Sequence, residues 1–156
     1  MADELKPGDK APDFHLPRDG GDVVSLASFA GRKLVLYFYP KDDTSGCTAE
    51  AIEFNELAKD FSAAGAAILG ASPDPVKKHD KFRDKYGLSF PLVADEDKAM
   101  LAAYGVWVEK SMYGRKYMGV ERTTFLLDER GVILKIWRKV KAKGHAAEVL
   151  AALRSI

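Results

Sequence analysis

Residues 35–50 read Val35-Leu36-Tyr37-Phe38-Tyr39-Pro40-Lys41-Asp42-Asp43-Thr44-Ser45-Gly46-Cys47-Thr48-Ala49-Glu50. The stretch 34–39 is apolar and aromatic without alternation, the pattern of a strand buried on both faces. Pro40 and the two aspartates interrupt it. Thr44 or Ser45 caps a helix that starts near Gly46 and runs to about residue 63. Ile52, Leu57 and Phe61 are among its inward residues. A buried strand that turns directly into a helix sets Cys47, the chain's only cysteine, in the first helical turn.

That placement has a chemical consequence. Backbone N–H groups in a first turn lack intrahelical partners, and they favour thiolate over thiol. A free cysteine is only about 3% thiolate at pH 7. A helix end supplies about 0.3–2 kcal/mol. A mostly ionised thiol needs roughly 3.4 kcal/mol, so a neighbouring cation is required. On this spacing alone the competing reading, a small buried hydrophobe, stays open.

Outward from this unit, strands and helices alternate. Residues 14–16 and 23–26 flank Asp19-Gly20-Gly21, a hairpin turn. Gly65 ends the first helix. Residues 66–72 form a strand, Ser72-Pro73-Asp74-Pro75 a turn, and a charged helix runs to about Tyr86. Residues 90–94 read as a short strand and 95–104 as a short helix whose Asp95-Glu96-Asp97 start complements the dipole. The aromatic, glycine-containing segment 106–120 reads as a loop with extended parts. Residues 123–128 and 132–138 are strands joined at Glu129-Arg130-Gly131, and Gly144 precedes a final helix to about residue 153. The order predicts an α/β chain with a central mixed sheet, helices on both faces and an N-terminal β-hairpin. A thioredoxin-like fold fits it, and periodicity alone does not separate that fold from other small α/β folds.

The chain has 156 residues, the length of one domain spanning 1–156. Its net charge of +1 gives no global attraction to nucleic acid or anionic membrane. No apolar run approaches the roughly 20 residues that cross a bilayer. The charged start Met1-Ala2-Asp3-Glu4-Leu5-Lys6-Pro7 lacks a signal-peptide core. One cysteine makes no internal disulfide, which favours the cytoplasm. His15, His79 and His145 are scattered singly, so they read as surface or capping residues, and no metal site is expected. Arg130, Lys135, Arg138, Lys139, Lys141 and Lys143 read as a solvated strand face. Tyr39 and Trp107 read as core or rim aromatics.

Pro40-x-x-x-Thr44-x-x-Cys47 resembles the active-site motif of the peroxiredoxins. The wider Tyr39-Pro40-Lys41-Asp42-Asp43-Thr44-x-Gly46-Cys47-Thr48-x-Glu50 is similar to the peroxiredoxin Q, or bacterioferritin comigratory protein, subfamily. Gly8-Asp9-Lys10-Ala11-Pro12-Asp13-Phe14, Tyr104-Gly105-Val106-Trp107, Met112-Tyr113-Gly114 and the run from Gly119 to Asp128 extend the resemblance along nearly the whole chain.

The resemblance implies a thiol-dependent peroxidase acting on hydrogen peroxide and organic hydroperoxides, with no cofactor. Cys47 would be the nucleophile, oxidised to sulfenic acid. Thr44 would hold the peroxide, Pro40 would shield the site, and Arg122 would be the missing cation. Backbone N–H groups near Gly46 would complete the cradle, and Glu50 would orient Arg122. The chain departs from the subfamily twice. Ser45 stands where many relatives have proline, and Ile52 stands where many have a second, resolving cysteine. With no other cysteine, the sulfenic acid must meet an external thiol: thioredoxin, glutaredoxin, glutathione or, least favoured because the site should be partly buried, the Cys47 of a second copy. The resemblance leans toward a monomer, with the aromatic segment around Tyr113 and Tyr117 as a candidate interface. A redox sensor that relays oxidation to a partner protein is the alternative, and an inert thiol on the same fold a third.

Overall fold

A computed structural model describes residues 4–156; the first three residues of the charged N-terminal stretch lie outside the described residues. The elements run β1 (His15–Pro17), β2 (Val23–Ser25), a 3-10 turn (Leu26–Phe29), β3 (Lys33–Phe38), α1 (Ser45–Glu56), α2 (Ala58–Ala63), β4 (Ala66–Ser72), α3 (Val76–Tyr86), β5 (Leu92–Ala94), α4 (Ala99–Ala103), β6 (Trp107–Met112), β7 (Arg115–Val120), β8 (Thr123–Leu127), β9 (Ile133–Trp137) and α5 (His145–Arg154).

The central sheet has the order β5-β4-β3-β8-β9. β3 and β4 pair in parallel, as do β4 and β5, whereas β8 is antiparallel to β3 and to β9. The mixed sheet and the N-terminal β1–β2 hairpin match the sequence reading. β3 lies at the centre, and its two side-chain rows enter two cores. Leu34, Leu36 and Phe38 pack with Phe14, Val24, Met100, Leu101 and Tyr104, so the hairpin and α4 cover that face. Val35, Tyr37 and Tyr39 pack with Cys47, Phe54, Phe61, Phe82, Val149 and Leu150 from α1, α2, α3 and α5. Burial on both sides is why 34–39 shows no alternation.

The structure differs from the expected elements in four places. The helix expected over 46–63 is broken at Leu57 (φ −99°, ψ 5°) into α1 and α2. Its buried face is Cys47, Glu50, Ala51 and Phe54, then Phe61, while Ile52 and Leu57 are half-buried. Residues 106–120 contain a β-hairpin, Trp107 pairing with Val120 and Met112 with Arg115. It turns at Tyr113 (φ 52°) and Gly114 (φ 77°), a two-residue turn with both central residues left-handed. α4 starts only at Ala99, because Lys98 sits at φ 62° and the Asp95 carboxylate accepts from Leu101 N at 2.8 Å. Finally, β9 ends at Trp137, so residues 138–143 form the connection to α5 instead of a strand face. No helix among the described residues is long and apolar enough to cross a membrane.

Candidate active site

The site forms where β3 gives way to α1. Tyr39 N donates to Ala71 O at 3.1 Å, which carries the strand one residue past Phe38 before the chain turns at Pro40. Thr44 is the N-cap residue, extended at φ −92° and ψ 156°. Its hydroxyl makes no cap bond and donates backwards to Lys41 O at 2.8 Å. Thr44 is exposed and Pro40 half-buried, whereas Cys47 is buried at 1% exposure. The N–H groups of Gly46 and Cys47 lie in the first turn of α1, where helices leave donors without intrahelical acceptors.

Arg122 arrives through strand register. β8 pairs antiparallel with β3, Thr123 opposite Phe38. The preceding residue therefore stands at the end of β3 where the turn begins. Its carbonyl accepts from Val140 N at 2.9 Å, which anchors its backbone to the 138–143 connection. The guanidinium then spans two groups on α1. Nη2 lies 3.3 Å from Cys47 Sγ and Nη1 lies 2.7 Å from Glu50 Oε1. Gly46 makes room: a Cβ there would come within 3.2 Å of Arg122 Nη2.

Burial sets the electrostatics. Glu50 has no exposed surface. Desolvation pushes its carboxyl up to about 7, although the Arg122 charge and hydrogen bond pull the other way. Burial works against the Arg122 cation, but Glu50 and the Cys47 sulfur outweigh it and raise the guanidinium above its ordinary value. Tyr37 is held well above the usual phenol range by burial, then by Glu50 and Cys47, so it stays neutral. Tyr37 Oη and Glu50 Oε2 are buried without a hydrogen-bond partner among the described residues. The structure thus brings Cys47, Arg122, Glu50 and Gly46 together, with Thr44 and Pro40 on the open side of the same turn.

Two histidines contradict the surface reading. His79 has no exposed surface and lies 2.6 Å from Asp42; His145 is 4% exposed, with Nε2 2.8 Å from Thr124 Oγ1. The buried partners Asp42 and Thr124 are distant in sequence, and only His145 has a neighbour on its own helix, Glu148 Oε1 at 3.7 Å. Asp42, inside the quoted stretch, was the half of the first pair open to view. Among the described residues no group of three or more His, Cys, Asp or Glu side chains is arranged to hold a metal ion.

Known proteins resemble this chain along most of its length. The AhpC/TSA family matches residues 7–136. A putative peroxiredoxin bcp of Coxiella burnetii is 51% identical over 149 residues, 96% of this chain and 99% of that protein. The peroxiredoxin Bcp of Bacillus subtilis is 46% identical, covering 96% of this chain and 95% of its own length. Among solved structures, Xylella fastidiosa PrxQ superposes with a TM-score of 0.93 at 40% identity, over 99% of this chain and 98% of that one. The Xanthomonas campestris bacterioferritin comigratory protein, described for alkyl peroxide reduction, superposes with a TM-score of 0.87 at 51% identity, over 91% of this chain and 90% of that one. Matched along most of its length by the family, and by Bcp peroxiredoxins nearly from end to end, the chain belongs to the AhpC/TSA family.

Proposed function

We propose that the thiol-dependent peroxidase activity of this family is carried here by Cys47, on hydrogen peroxide and organic hydroperoxides. The supporting observation is one guanidinium held between Cys47 Sγ and Glu50. The thiolate attacks the hydroxyl oxygen of the peroxide. An S–O bond forms, the O–O bond breaks, and the other oxygen leaves as hydroxide or alkoxide, to be protonated to water or an alcohol. Sulfur loses the two electrons that the peroxide gains. Thr44 gives its hydrogen to Lys41 O, which leaves its oxygen as an acceptor for the peroxide O–H. Each terminal nitrogen of Arg122 carries two hydrogens, so Nη2 bonds the sulfur and keeps one for the oxygen that gains charge. Glu50 fixes the plane of the fork, and half-buried Pro40 restricts water at the turn.

The return step uses an outside thiol, since the chain has one cysteine. The first thiol forms a mixed disulfide with Cys47 and releases water. A second thiol, or the partner's second sulfur, breaks that bond and returns Cys47 to the reduced form. Thioredoxin, glutaredoxin and glutathione are the reductants that fit. We place the protein as a single-domain monomer in the cytoplasm, where these pools are reducing. Steady-state peroxide consumption with each reductant in turn is the test. Sustained turnover with one of them supports an enzyme. Oxidation of Cys47 with no turnover under any of them would instead indicate a sensor that hands its oxidation to a dedicated partner.

A further inference from the structure

The turn ahead of α1 is fastened to α3 by buried groups that the peroxide chemistry leaves unused. Tyr39 Oη donates to Asp42 Oδ1 at 2.5 Å, and Asp42 Oδ2 stands 2.6 Å from His79 Nδ1. His79 Nε2 lies 2.9 Å from the Val93 carbonyl on β5. A carbonyl only accepts, so Nε2 carries a hydrogen. The short contact at Nδ1 also needs a proton between nitrogen and carboxylate. Asp42 and His79 are therefore one proton-bridged pair, closed by the tyrosine on one side and a strand carbonyl on the other. Asp42 is 8% exposed, Tyr39 1% and His79 0%.

Further bonds join the same turn to α3 and its approach. Asp42 N donates to Asp74 Oδ2 at 2.7 Å, just before α3 begins. Asp43 holds a left-handed φ of 59°, and its carboxylate accepts from Lys85 Nζ at 2.8 Å and Tyr86 Oη at 2.6 Å. Burying an imidazole and a carboxylate costs more than burying apolar side chains of similar volume, so packing alone does not account for the pair. What a fully bonded buried cluster supplies is a fixed register. Here it fixes the residues between Pro40 and Thr44.

We propose that His79 and Asp42 are positioning residues of the peroxide site. Through the 40–44 turn they set where Thr44 Oγ1 and the first turn of α1 stand relative to the oxygen that Cys47 attacks. This rests on the reading of Thr44 as peroxide holder and Cys47 as nucleophile. The test takes two rates on each variant. One is oxidation of Cys47 by hydrogen peroxide; the other is alkylation of Cys47 by iodoacetamide, which needs the thiolate but no peroxide geometry. His79→Phe should lower the peroxide rate about tenfold to a hundredfold and leave alkylation within about threefold. His79→Asn, whose amide nitrogen stands near the place of Nδ1, keeps a donor toward Asp42 and should recover part of the loss.

A peroxide rate for His79→Phe within about twofold of wild type overturns the proposal, as does an equal fall in both rates. Where His79→Phe does not fold, Tyr39→Phe decides. A selective peroxide loss of about threefold or more supports positioning, and no change overturns it. Failure of the underlying reading looks different: wild type itself would then react with peroxide no faster than a free thiol.

Discussion

Replacing Arg122 with methionine removes the cation that faces both Cys47 and Glu50, and the structure sets the size and pH dependence of the loss. Burial holds the Glu50 carboxyl at about 7 even with the guanidinium 2.7 Å away, so without that charge it rises further. In wild type the folded value lies above the ordinary carboxyl value of 4.5, so the carboxyl's contribution to stability is full at low pH and declines as pH rises to about 7. Beyond that pH the wild-type carboxylate is ionised both folded and unfolded, and its contribution is level.

In the variant, the folded protein keeps the proton that the unfolded chain has lost. Its stability therefore continues to fall, by about 1.4 kcal/mol per pH unit, until its own higher pKa is reached. The ionic part of the penalty is under about 1 kcal/mol at pH 7 and grows toward pH 9. Urea unfolding of both proteins at several values between about pH 6 and 9 reads this directly. A gap between them that stays constant over that range would refute the argument. The double variant Arg122→Met/Glu50→Gln should lose the slope. In the same proteins, loss of a charged hydrogen bond of about 1.5–3 kcal/mol to the sulfur should slow Cys47 oxidation about tenfold to 150-fold.

Other outcomes follow from close contacts on the Cys47 side of the sheet. Gly46→Ala puts a Cβ 3.2 Å from Arg122 Nη2, so the guanidinium must shift by tenths of an ångström; peroxide oxidation should slow about threefold to tenfold with thermal stability nearly unchanged. Gly70→Ala brings a Cβ to 2.9 Å from Leu92 Cδ2 and 3.1 Å from the Tyr37 hydroxyl, and chemical denaturation should show a loss of about 1–3 kcal/mol. Without an internal resolving cysteine, graded peroxide in the absence of thiol should convert Cys47 to the sulfinic and then sulfonic form. Intact mass spectrometry reads this, and absence of the dioxidised species under excess peroxide would count against a long-lived sulfenic acid.

The sequence carried most of the site because its chemistry is local. The strand, the turn and the start of α1 are contiguous, and the first-turn position of Cys47 follows from their order. Arg122 lies 75 residues from Cys47 and was legible only through the resemblance over Gly119 to Asp128; the β3–β8 register sets it beside the turn. The β6–β7 hairpin was harder to read for a physical reason. Most of its residues are partly or fully exposed, with Tyr113 at 99%, so neither face imposes an apolar alternation. Its turn falls at Tyr113-Gly114, and tyrosine is not a residue that announces a left-handed position. The break at Leu57 has neither glycine nor proline, and nothing local announces it. His79 and His145 lie buried because Asp42 and Thr124, 37 and 21 residues away, satisfy them. A pairing at that range is set by the fold and leaves no trace in spacing.

The central claim is that Cys47 is the group that peroxide oxidises and that an external thiol restores. The direct measurement is a single-turnover titration of the reduced protein with hydrogen peroxide, following peroxide consumed, free thiol remaining and chain mass together. The expected result is one peroxide consumed per chain, loss of the thiol, a gain of one oxygen located on Cys47, and recovery of the thiol on adding glutathione or reduced thioredoxin. Cys47→Ser should consume none. Peroxide consumption by Cys47→Ser at the wild-type rate, or a Cys47 thiol that reacts no faster than free cysteine, would contradict it.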